Sequence, residues 1–84
     1  MFFYLYTFHT LTGAQSAKST LSAKGVSAQL IRAPKALSRH GCGYALRVSS
    51  SSGLRALSVL QSSGQSFGHL YRFFSNGNYE EVRV

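Results

Sequence analysis

The run Phe2-Phe3-Tyr4-Leu5-Tyr6-Thr7-Phe8 constrains this chain more than any other segment. Aromatic residues at that density favour a pleated strand. The period of two divides them: Tyr4, Tyr6 and Phe8 fall on one face, Phe3 and Leu5 on the other. The run is far shorter than the ~20 residues that span a bilayer. It also lacks the basic flank and small-residue cleavage site of a secretory leader. It reads as the opening strand of one small domain covering residues 1–84.

The rest of the chain supplies that strand with partners. Thr12, with Gln15 three places on, fits a capping box, and Leu11, Ala14, Ala17 or Lys18, and Leu21 recur at helical spacing. Gly25 supplies the left-handed stop. Val26–Arg32 alternates as a second strand, and Pro34 ends it by removing a backbone donor. Residues 34–42 form a loop with one helical turn around Ala36–Arg39, and Tyr44–Val48 is a short third strand. The serine run Ser49–Ser52 caps a helix over Gly53–Ser63, apolar at Leu54, Leu57 and Leu60 and closed by Gly64. His69–Phe74 and Tyr79–Val84 are two further strands joined by Asn76-Gly77-Asn78, a hairpin turn.

This order predicts an α+β, ferredoxin-like βαββαβ fold. Its sheet is mostly antiparallel, with two helices on one face and a C-terminal hairpin strand added. In that topology the third strand lies between the first and second. Cys42, just ahead of it, should then sit near His9, Thr10 and the N-terminus of the first helix.

Nine Lys and Arg against two Asp and Glu give a net charge of +7, which favours anionic partners. The charges are scattered, unlike the concentrated patch of a dedicated DNA binder. Glu80 and Glu81, adjacent in a terminal strand, are poorly suited to paired acid–base catalysis. Gly41-x-Gly43 lacks the spacing of a phosphate-binding loop. A single cysteine forms no internal disulfide, whereas small secreted domains need several, so a reducing cytoplasm is expected. His40 and Cys42 fall two short of the four ligands of a structural zinc site. His9 and His69 read as packed or solvated side chains. No metal and no cofactor are expected.

Cys42 is therefore the candidate chemical centre. A lone cysteine more often packs as a small hydrophobe. Against that stand the flanking Gly41 and Gly43, which leave room around the sulfur, and the nearby cations Lys35, Arg39, His40 and Arg47. Such cations lower a thiol's pKa and so supply the nucleophilic thiolate.

The stretch from Pro34 to Arg47, with Pro34-Lys35, Leu37-Ser38, Cys42-Gly43 and Ala45-Leu46-Arg47, resembles the sulfur/selenium (Se/S) carrier-like family of small bacterial domains. The likeness continues through the opening strand, the capped helix, Leu70-Tyr71-Arg72 and Tyr79-Glu80. Two departures stand out. Lys35 replaces an expected Arg, and the Pro-to-Cys spacing is one residue longer. The resemblance implies a carrier rather than an enzyme. Cys42 would hold a persulfide or perselenide, with Lys35, Arg39, His40, Gly43 and Arg47 around the anion. A donor such as a cysteine desulfurase would charge it, and an unidentified acceptor would discharge it.

The alternative is a small basic RNA-binding module that stacks bases on sheet aromatics. The third strand, with Tyr44 as its one aromatic, offers no convincing RNP-like run, so nucleic acid is disfavoured. The same aromatic face could instead be covered by the extra strand or by a second subunit in a homodimer.

Overall fold

The computed structural model describes residues 1–38, 41 and 43–83. Strand β1 is Phe2–Phe8, helix α1 Leu11–Ala23, β2 Gln29–Arg32, β3 Tyr44–Ser49, α2 Gly53–Ser62, β4 Leu70–Phe74 and β5 Tyr79–Glu81, with a 3-10 turn at Lys35–Leu37 before β3. All pairings are antiparallel, and the sheet order is β2-β3-β1-β4-β5. This is the expected α+β architecture, with the third strand between the first and second and the hairpin strand at the far edge.

Strand β1 lies in the middle. It pairs with β3 from Phe3↔Ser49 to Phe8↔Tyr44, and with β4 from Phe2↔Phe74 to Tyr6↔Leu70. Its alternation separates two cores. Tyr4, Tyr6 and Phe8 pack beneath the helices with Ala14, Leu21 and Leu60. On the opposite face Leu5 joins Ala45, Tyr71 and Leu37, the last brought over the sheet by the 3-10 turn.

Both helices end as their glycines predict. Gly25 (φ 78°) and Gly64 (φ 71°) adopt the left-handed conformation. Val26 N–H then reaches back to the Leu21 carbonyl, and Gln65 N–H to the Leu60 carbonyl, closing a Schellman motif at each end. This is why the second strand begins later than its alternation suggests. The Val26 amide is used by the helix stop, and the ladder starts only at Gln29.

Three local expectations are corrected. The cap of α1 is Thr10, not Thr12: Thr10 is extended and its hydroxyl accepts the Gly13 N–H at 3.0 Å. The chain turns into the helix directly after β1, which leaves Thr12 inside the first turn. The serine run makes a turn instead of a side-chain cap, because Ser52 holds the cap position without a side-chain bond. In α2 the buried face is Gly53, Ala56 and Leu60, while Leu54 is 63% exposed.

The last correction has a steric cause. Helix α2 crosses so close to β1 that a Cβ on Gly53 would fall within the Tyr4 ring. Immediately beside it the Tyr6 hydroxyl donates to the Gly53 carbonyl at 2.5 Å. Only a residue without a side chain permits this approach. Gly53→Ala should lower unfolding free energy by about 3 kcal/mol through overpacking, read from urea melts.

Burial, with Tyr4 as a lesser cause, pushes the Tyr6 phenol far above its ordinary pKa. The folded chain then holds this proton more firmly than the unfolded chain does. Its contribution is fully present below the unfolded value of about 10 and is lost as pH rises beyond it. Stability of the wild type should therefore fall more steeply above about pH 10 than that of Tyr6→Phe. At neutral pH the variant should be weaker by about 1 kcal/mol. Denaturant melts across the alkaline range check both expectations.

Candidate functional site

Three segments meet where β1 ends. The pairing of Phe8 with Tyr44 brings the start of β3 beside that exit. Gly43, immediately before β3, accepts the Ala33 N–H at 3.1 Å, and Gly41 donates its N–H to the Ser38 carbonyl at 3.0 Å. Gly41 is exposed and left-handed (φ +82°), and a Cβ there would stand 3.5 Å from the His9 Nδ1. Gly41 is thus placed at the β1 exit against His9. Thr10 follows as the α1 cap, with its hydroxyl engaged by Gly13. Cys42, Arg39 and His40 lie outside the described residues.

The other predicted cations go to different places. Lys35 is exposed at the start of the 3-10 turn, whose carbonyl is bonded by Ser38. Arg47 points to the helix-free face midway along β3. Its guanidinium lies 4.3 Å from the centroid of the Phe3 ring and donates to Gln29 Oε1 at 3.4 Å. It lies four strand steps from Gly43, about 13 Å. The structure therefore joins His9 and Gly41 but does not bring Arg47 to them.

Sequence reasoning treated His9 and His69 separately, and the structure puts them on one groove. A cavity of about 380 Å³ opens between the β1–α1 junction and the loop before β4, lined among others by Phe8, His9, Thr10, Ser66, Phe67 and His69. The Thr7 hydroxyl fixes that loop by accepting the His69 N–H at 2.9 Å. The topological argument that brings the start of β3 to the end of β1 applies equally to the start of β4. That was the available signal.

The helix-free face bears on nucleic-acid binding. Tyr4, Tyr6 and Phe8 are buried under the helices. Across the opposite face run Phe3, Phe73 and Tyr79, with near-parallel rings 5.6 and 5.9 Å apart. Phe73 is stacked on both sides, and Phe3 lies between Phe73 and the Arg47 guanidinium. Base stacking needs an open ring face; Phe3 and Phe73 turn theirs to neighbouring groups, while Tyr79 at the edge is 37% exposed.

A family model described as Putative Se/S carrier protein-like matches residues 3–72. The chain belongs to this Se/S carrier-like family. No curated protein and no solved structure matches it. The family match spans β1, α1, β2, the Pro34–Gly43 segment, β3, α2 and the first half of β4. Among the described residues no helix is long and apolar enough to cross a membrane.

The two glycines of this family member's bracket differ in what they tolerate. At Gly41 an alanine would have to hold a positive φ, at a cost of about 1–2 kcal/mol. At Gly43 φ is not positive and nothing lies within 4 Å of an added Cβ. Gly41→Ala should be destabilised by about that amount. Gly43→Ala should be neutral or slightly stabilised, within about 1 kcal/mol. Thermal melts of the two variants side by side test the difference.

Proposed function

We propose that this chain carries sulfur or selenium on Cys42. The supporting observation is the family match, which runs through the Cys42-Gly43 pair. The geometry around that pair is compatible with the role. Gly41 is exposed, and an added Cβ on Gly43 would meet nothing within 4 Å, so a partner can approach from this side.

In the proposed cycle the Cys42 thiolate attacks the outer sulfur of a donor persulfide. The donor's S–S bond breaks, a new S–S bond forms on Cys42, and the donor leaves as a thiolate. Selenium would move in the same way. Lys35, Arg39 and His40, close to Cys42 in sequence, would supply positive charge that favours the anionic form. The donor is a cysteine desulfurase or a similar enzyme, and the acceptor is a second protein that removes the cargo. The domain, residues 1–84, is then a substrate in a relay working in a reducing cytoplasm.

Incubation with a cysteine desulfurase and cysteine should add the mass of one sulfur to the intact chain, and reductant should remove it. Cys42→Ser should show no gain. Equal loading of that variant would disprove carriage on Cys42.

A further inference from the structure

The two edges of the sheet differ in charge. Strand β2 forms one edge and β5 the other. Register fixes what β2 offers on its open side. Ala33 donates its N–H to the Gly43 carbonyl, which marks a hydrogen-bonded pair. Such pairs alternate along an antiparallel ladder, so Ile31 and Gln29 also bond toward β3, opposite Ala45 and Arg47. Leu30 and Arg32 therefore turn their N–H and C=O groups outward. The bond from Thr7 N–H to the His69 carbonyl sets the same phase independently, two strands away. No strand of the described residues lies beyond this edge, and an open edge is a template for a further strand.

The charged side chains that the described residues bring to this edge are cations. Arg32 is exposed on the helix side, which it shares with Leu30 by alternation, and its guanidinium lies 5.6 Å from the centroid of the Tyr44 ring. On the helix-free side the exposed Arg47 reaches β2 by donating to Gln29. A cavity of about 320 Å³ opens beside that pair, lined among others by Phe3, Ala28, Gln29, Arg47 and Ser49. Lys35 is exposed just past the end of the strand. Both glutamates are on β5, four interstrand spacings away, about 19 Å.

We propose that the β2 edge docks an extended, acidic segment of a partner protein, which adds to the sheet as a further strand. Main-chain bonds to Leu30 and Arg32 supply the pairing, and alternate side chains supply the selection. Acidic residues of the incoming strand meet Arg32 on one face and Arg47 on the other. A second copy of this chain fits the edge poorly. Two β2 edges brought together would oppose their arginines, in chains that each carry a net charge of +7. Pairing β2 with the acidic β5 edge of another copy is head-to-tail and leaves open edges at both ends. The inference goes beyond carriage and does not depend on it, since it concerns the sheet edge and not the thiol.

The probe is an end-capped, eight-residue peptide of alternating Glu and Val, titrated into the isotope-labelled full chain and followed by NMR. The Leu30 and Arg32 amides should shift saturably, and their hydrogen exchange should slow about tenfold, while Gln29 and Ile31 exchange changes little. The same peptide methylated on its backbone nitrogens, and a Lys-Val peptide, should not bind. Binding by the methylated peptide as strong as by the parent would overturn strand addition. Binding by the Lys-Val peptide as strong as by the Glu-Val peptide would overturn the acidic partner.

Arg32→Glu should weaken binding of the Glu-Val peptide about tenfold, and Lys18→Glu, the same charge change on the exposed face of α1, by less than about twofold. Equal losses in the two variants would reduce the effect to net charge and overturn the edge assignment. Shifts at Leu30 and Arg32 that grow with protein concentration in the absence of peptide would overturn it in favour of self-association. A Cys42→Ser chain should give the same titration, so this proposal and carriage on Cys42 fail separately.

Discussion

Everything in this molecule depends on β1 being covered on both faces and paired along both edges. A strand in that position has no backbone group left to water and no side chain free to turn outward. Tyr4 through Phe8 are accordingly buried without interruption. Thr7 is the one polar member, and it is satisfied by the His69 backbone. Such a strand cannot slip by one residue without exchanging its two cores. Its end point is therefore fixed, and with it His9, Thr10, the approach to β3 and the approach to β4. Three loops converge there because the central strand of an antiparallel sheet has neighbours on each side, both running back from the same end.

Much of this was legible because the informative residues act locally. Phe2–Phe8 announces a strand by composition. Gly25, Gly64 and Gly77 mark three chain reversals, and all adopt positive φ. What escaped was set by distant contacts. Leu54 and Gly53 have ordinary helical spacing, and only the approach of Tyr4, far away in sequence, decides which is buried. Thr10 and Thr12 are both chemically able to cap, and the choice follows from where β1 releases the chain. At the site, strand order was enough to predict that the residues before β3 lie beside His9. Gly41 does stand against His9, while Cys42 itself lies outside the described residues. Nothing in the sequence distinguished Arg47 from the other cations, yet strand alternation turns it toward Phe3.

The helix-free face shows how a small sheet protects a surface that no helix covers. Leu37, carried in by the 3-10 turn, seals the centre over Leu5, Ala45 and Tyr71. Toward the rim the aromatic rings stack on each other and end at the Arg47 guanidinium. Cross-strand aromatic pairs each contribute roughly 0.2–1 kcal/mol, so the row also helps hold β1, β4 and β5 in register. The same turn that seals the face leads through Ser38 to Gly41. The segment bearing the cysteine is thus anchored to the sheet by Leu37 before it and by the Gly43–Ala33 bond after it.

Charge completes the separation of roles. Both carboxylates sit on β5, at one edge of the sheet, where Arg72 and His69 engage them. Exposed ion pairs of this kind add little stability, about 0–1 kcal/mol each. Their larger effect is where they put negative charge. Strands β4 and β1 stand between that edge and the start of β3, and at physiological salt the interaction between exposed charges is largely screened beyond about 8 Å. Lys35 and Gly41 therefore meet solvent with both glutamates held at the opposite edge of the sheet. Under the proposed carriage, a sulfur that ionises to react would gain from having both glutamates at the far edge of the sheet. The proposed carriage would thus give the excess of basic residues a role without nucleic acid.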